Sequence, residues 1–149
     1  MLIERAAIAE RIPHKGRMCL LDGVLAWDAG SIRCMATSHR DPDNPLRHRD
    51  RLAALCGIEY AAQAMALHGA LCGAVATPRA GYLAGVRDCV CRIARLDLLE
   101  ADLLIEARRI FDDGRHSLYE FALHCNELEL LSGRAAVVLY AGPLEGALN

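Results

Sequence analysis

Between Arg51 and Arg79 the chain carries a single formal charge, Glu59, set in a run of Leu, Ala, Cys, Gly, Ile, Met and Val. A run this long and this apolar reads as a helix, and because it is apolar on nearly every side it has to be enclosed by other elements. The pattern predicts that helix from about Asp50, as a candidate N-cap, to about Cys72. A lone carboxylate inside it costs on the order of several kcal/mol unless it is paired, hydrogen-bonded or held neutral. Glu59 is therefore the first candidate for a chemical role.

The same run is long enough to span a bilayer. Against a membrane span stand Glu59, Gln63 and His68 inside it, its many small residues, and a remainder that patterns as half-buried sheet. A carboxylate at the centre of a spanning helix costs about 2.5–3.5 kcal/mol on insertion scales. At 149 residues and 54% hydrophobic content the chain fits one domain, 1–149, with enough apolar material for a core. The net charge of −2 gives no global attraction to nucleic acid or to an anionic membrane. One local patch of Arg40, Arg47, Arg49 and Arg51 stands out, diluted by Asp41, Asp43 and Asp50.

Seven cysteines is an odd count without framework spacing, which fits reduced thiols in a cytoplasmic protein. Cys89 and Cys91 share a face if they lie in a strand, but no second ligand pair accompanies them, so no metal and no cofactor is expected. Glu4, Arg5, Glu10 and Arg11 interrupt any apolar signal-peptide core.

The remaining pattern gives a short amphipathic helix from Leu2 to about Arg11, closed by Pro13. Cys19 to Trp27 and Ser31 to Ser38 read as a hairpin about Asp28, Ala29 and Gly30. After the long helix and a break at Thr77, Pro78 and Arg79 come strands over Tyr82 to Ile93, Leu103 to Phe111, His116 to Cys125 and Leu128 to Tyr140. Asp112-Asp113-Gly114 marks a tight turn between two of them. An α+β fold in which a curved antiparallel sheet wraps one long central helix satisfies both the all-round apolarity of the helix and the one-sided patterning of the strands.

This order resembles the hotdog fold, and four segments resemble the β-hydroxyacyl-ACP dehydratases of that fold. They are Ile12-Pro13-His14-Lys15 with Met18 to Asp22, the helix stretch Gly57 to Gln63, Tyr82 to Arg87, and Gly133-Arg134-Ala135. Asp43-Asn44-Pro45 before the helix is similar to a divergent branch associated with aryl polyene type pathways. The Gly-His-Phe-Pro-Gly loop of the main family is missing, and the position of its histidine falls near Pro45, with His48 close by.

The resemblance implies removal of water from a 3-hydroxyacyl thioester carried on acyl carrier protein or CoA. That chemistry needs a base for an α-proton, an acid for the hydroxyl and donors for the thioester oxygen. Glu59 suits the acid if its apolar setting raises its pKa. His14 suits proton transfer near neutral pH, with His48 or a partner's histidine as the alternative. Gln63, one turn along from Glu59, orients the carboxylate or lines the acyl channel. Amides near Leu52 to Leu55 are expected to polarise the thioester carbonyl, and His68 and His124 to serve packing or the surface. Sites of the resembled family are assembled across a two-fold dimer, so a homodimer or a heterodimer with a second hotdog subunit is expected. A hotdog thioesterase and a non-catalytic partner subunit are the other two readings, and the basic loop around Arg49 suits docking of an acidic carrier.

Overall fold

The structure is a computed structural model that describes residues 1–73 and 81–139. Seven antiparallel strands form one sheet: β1 (Ile3–Glu4), β2 (Gly23–Trp27), β3 (Ser31–Ala36), β4 (Gly81–Cys91), β5 (Leu103–Asp112), β6 (His116–Cys125) and β7 (Leu128–Leu139). Their order across the sheet is β1-β2-β3-β5-β6-β7-β4. Helix α1 (Arg5–Arg11) precedes β2, and the 16-residue α2 (Gly57–Cys72) lies between β3 and β4 in the chain and packs on β3, β5 and β6. The expected architecture, a curved sheet around one long helix, is present.

Alternation decides which face of the sheet meets α2. Ile32, Cys34 and Ala36 of β3, Leu103, Ile105 and Ala107 of β5, and Tyr119, Phe121 and Leu123 of β6 are buried, and α2 answers with Tyr60, Ala61, Ala64, Met65 and Leu67. On the other face Arg33 pairs with Glu106, and Glu120 bridges Arg108 and Arg134. No helix among the described residues is long and apolar enough to cross a membrane.

Three element starts differ by more than one residue from the sequence reading. The first helix starts at Arg5, because Ile3 and Glu4 pair with Val24 and Gly23 as a short edge strand. β2 starts at Gly23, not Cys19, since the main chain of Met18 and Leu20 is engaged by a side chain of α2. The long helix starts at Gly57, not Asp50. Arg49 and Asp50 are left-handed (φ 52° and 61°), and Leu52 to Ala54 run extended against residues 94–97. Asp50 is thus a turn residue and caps nothing. The predicted break at Thr77 to Arg79 and the end at Tyr140 lie outside the described residues.

Two histidines inside this core are held by hydrogen bonds, although Nδ1 of His39 has no partner among the described residues. His68 of α2 is wholly buried; its Nε2 donates to the Asp28 carbonyl (2.8 Å) and its Nδ1 accepts from the Tyr119 hydroxyl (2.8 Å), which itself accepts from Arg109 Nε (3.3 Å). His39 is also wholly buried, with Nε2 shared between the Leu99 and Ala101 carbonyls. Burial, opposed in part by these carbonyls, holds both imidazoles below the ordinary value of 6.5. A depressed pKa means that the unfolded chain binds these protons first. The stability contributed by His39 and His68 should be complete above pH 6.5 and be lost as the pH falls through their folded values. Urea unfolding between pH 7.5 and 5 is expected to show that loss, and a flatter profile in His68→Gln; an identical profile in the variant would refute the assignment.

Candidate functional site

Glu59 lies in the first turn of α2 and Gln63 one turn further along the same face. Gln63 is wholly buried, and both ends of its amide are engaged by the chain ahead of β2: Oε1 accepts from Leu20 N (2.9 Å) and Nε2 donates to Met18 O (2.6 Å). On the other side of His14, Ile12 is buried in the core. Gly16, at φ +58°, turns the chain between the two anchors, and Arg5 donates to its carbonyl (3.1 Å). Held at both ends, this short loop places His14 Nε2 3.1 Å from Glu59 Oε1.

That contact corrects one expectation. Glu59 is not a buried neutral acid: its side chain is 37% exposed, and His14 beside it is 26% exposed. The hydrogen bond from His14 holds the Glu59 carboxyl below the usual carboxylate range, against the opposing pull of partial burial; the charge of His14 and Gln63 act in the same direction. The apolar neighbours in sequence would have raised it, but a histidine far away in the chain dominates. This lowering favours the ionised carboxylate of Glu59, the form that accepts a hydrogen bond from His14 Nε2. His14 Nδ1 is buried and has no hydrogen-bond partner among the described residues.

The other predicted groups fall elsewhere. His48 sits in a tight turn, its main chain bonded to Arg51, and forms no contact with the pair. Amides expected to polarise a carbonyl are already engaged: Leu52 N donates to Asp97 Oδ1 (2.9 Å) and Ala54 N to Ala94 O (3.0 Å). Cys89 and Cys91 are both exposed on β4, and no group of metal-binding side chains occurs among the described residues. His68 is a packing residue and His124 a half-buried residue of β6.

Sequence reasoning missed the network behind the pair. Tyr60, next to Glu59, is wholly buried, and its hydroxyl contacts Ser38 Oγ (2.7 Å) and accepts from Asn44 Nδ2 (3.1 Å). Asn44 also donates to Ser38 O and accepts from Leu46 N, and Ser38 Oγ contacts Leu20 O. The Asp-Asn-Pro string marked this loop as a turn, but nothing in it foretold that Asn44 would be buried against the helix. A cleft of about 340 Å³ lies on this flank, lined by Arg5, Arg17, Arg40, Ser38 and Asn44. A second, shallower depression lies on the outer sheet face. Neither includes His14 or Glu59.

A family model described as ApeP-like, ApeP dehydratase, matches residues 6–143. The chain belongs to the ApeP-like dehydratase family. A search of curated proteins found no match. Among solved structures it is similar to a chain of the dehydratase heterocomplex ApeI:P from Xenorhabdus doucetiae, with TM-score 0.81 and 22% identity over 95% of this chain and 97% of that one. The virulence protein Cj0977 from Campylobacter jejuni follows with TM-score 0.63 and 14% identity over 93% and 97%. A mutant of thioesterase PA1618 from Pseudomonas aeruginosa aligns with TM-score 0.58 and 14% identity over 78% of each chain. At these identities the likeness is one of fold, and the family assignment rests on the sequence model.

The geometry makes Gln63 testable as a structural tie. Gln63→Leu should leave the buried amide of Leu20 and the partly buried carbonyl of Met18 without their partner, lowering stability by about 1–3 kcal/mol. In the same variant the Glu59 carboxyl, followed by carbon-13 NMR titration, should move up toward the ordinary carboxylate value as His14 loosens. An unmoved titration would show that the tie does not position the pair.

Proposed function

We propose that this member of the ApeP-like dehydratases removes water from a 3-hydroxyacyl thioester, that His14 and Glu59 transfer the protons, and that it works beside a second hotdog subunit. The observation that carries this reading is the 3.1 Å contact between a loop imidazole and a helix carboxylate at a half-exposed position. Elimination needs one group that takes a proton and one that gives a proton, within reach of adjacent carbons. In the active form Glu59 is ionised and His14 protonated. Glu59 takes the α-proton, the C–H electron pair forms the double bond, the Cβ–O bond breaks, and the hydroxyl leaves as water with the proton of His14. Transfer of the new carboxyl proton back across the pair restores the starting state. Gln63 acts through the loop, as a positioning residue for His14.

Two features support a second subunit. The pair lies outside the two depressions described above, which supports a wall for the acyl group supplied by a second subunit. β4 is an 11-residue strand at the end of the sheet, bonded to β7 on one side, and its other edge has no partner among the described residues. An open edge of that length is a template for another strand. Whether the second subunit is a copy of this chain or a different hotdog chain decides between a homodimer and a heterodimer; the complex named for the similar structure, a heterocomplex, favours the latter.

Loss of water from a 3-hydroxyacyl group on acyl carrier protein, measured for the chain alone and with a candidate partner, tests the reading. Glu59→Gln and His14→Asn should each lower turnover by about 10²-fold or more. Because the two act as a unit, the double variant should be little worse than either single one. Turnover in the wild type should fall as the pH drops through the lowered Glu59 value, since the base is then protonated. Unchanged turnover in Glu59→Gln would sink the mechanism. Thiol release without water loss would favour a thioesterase.

A further inference from the structure

Most arginines on or beside the sheet have acidic neighbours: Arg33 has Glu106, Arg92 has Glu129, and Arg108 and Arg134 share Glu120; Arg87 of β4 has none among the described residues. The turn ahead of α2 is different. Arg47, Arg49 and Arg51 lie within five residues and form no ion pair among the described residues, in a chain whose net charge is −2. Arg49 and Arg51 are exposed.

The backbone holds this charge outward at a local cost. His48 and Arg51 exchange two main-chain hydrogen bonds (2.9 and 3.0 Å) around Arg49 and Asp50, both left-handed at φ 52° and 61°. Two-residue turns of that hand favour Asn-Gly, not Arg-Asp. Non-glycine residues persist in such conformations where their surroundings fix them, and such residues concentrate at functional sites. The fixing group here is Arg47, whose guanidinium donates to the carbonyls of Asp50 (3.2 Å) and of the buried His39 (3.1 Å). Beyond the turn, Leu52 and Ala54 are bonded to Asp97 and Ala94 in an antiparallel register, Ala53 opposite Arg95, so that Leu98 follows the Arg51 end of this pairing and Leu55 lies beyond its other end. These two leucines are 57% and 67% exposed.

We propose that this corner, Arg49 and Arg51 with Leu98 alongside, is the docking surface for an acidic carrier protein that delivers the thioester. The inference rests on the acyl-thioester reading above and adds the surface by which the substrate's carrier is recognised. Charge complementarity selects the occupant: three arginines outweigh the one carboxylate of the turn, Asp50, none of the three forms an ion pair among the described residues, exposed Leu98 follows the Arg51 end, and the chain runs on through Ala54–Cys56 into α2, whose first turn carries Glu59. Attraction of this kind acts mainly on encounter and is screened by salt.

The test uses the full chain, with its partner subunit if activity requires one. The variant Arg49→Glu/Arg51→Glu should raise KM for a carrier-borne 3-hydroxyacyl group by about tenfold or more at low salt and flatten its salt dependence. It should leave kcat/KM for the same acyl group on uncharged N-acetylcysteamine unchanged. Anisotropy of a labelled holo-carrier without an acyl group reads docking directly, so failure of the dehydratase reading and failure of the docking surface are distinguishable. Arg49→Gly separates charge from folding, because glycine relieves the left-handed position: the fold should become more stable while carrier binding weakens. Carrier affinity unchanged in both variants would overturn the proposal. So would equal binding of poly-glutamate, which marks a non-selective basic patch, or loss of subunit pairing in the charge variant, which marks the corner as a subunit interface.

Discussion

A neutral amide holds the candidate site together. Gln63 grips the main chain at Met18 and Leu20 with both of its functional ends, from a position where no water competes for them. A hydrogen bond in such a place contributes only about 1 kcal/mol net, but leaving it unmade costs more, so the loop has one favoured seat on the helix. His14 inherits that seat. Its distance from Glu59 is fixed less by attraction between the two than by the anchoring of the residues on either side of it. Tyr60, Ser38 and Asn44 do the same from the opposite flank, tying the loop before α2 to the helix residue beside Glu59.

Burial sorts the titratable groups of this chain into two kinds. Those sealed in the core are kept uncharged: desolvation lowers His39 and His68 and pushes the Cys34 thiol up to about 12. Glu59, partly open to solvent and facing an imidazole, goes the other way and stays ionised. The contrast follows from access and partner, not from residue type. An unpaired carboxylate in the middle of α2 would behave like the core groups; at its first turn, with His14 opposite, it does not.

The fold was legible because its signals are local and repetitive. Alternation along Leu103 to Cys125 and the turn at Asp112-Asp113-Gly114 mark β5 and β6 almost to the residue, and an apolar stretch with few charges marks α2. The start of that helix was not legible. Leu52 to Cys56 continue the apolar run without a breaker, and only a pairing with residues 94–97, distant in sequence, takes them out of the helix. The same distance hid the charge state of Glu59. A window around it contains nothing polar except Gln63, whereas the group that sets its ionisation lies in the loop before β2. His14 and Glu59 could be nominated one by one from residue type and resemblance, but their contact belongs to the tertiary structure.

β4 carries a consequence of its own. Asp88 takes a left-handed conformation (φ 53°) and the register with β7 shifts twice, between Leu83 and Gly85 and between Arg87 and Val90, so the strand is broken into short regular stretches. A long smooth rim would accept any extended chain and invite endless stacking into fibrils. A kinked one demands a neighbour with a matching irregularity. Asp88 thereby works as a notch in the rim: the bulge around it interrupts the row of free backbone groups along which a stray strand would zip up.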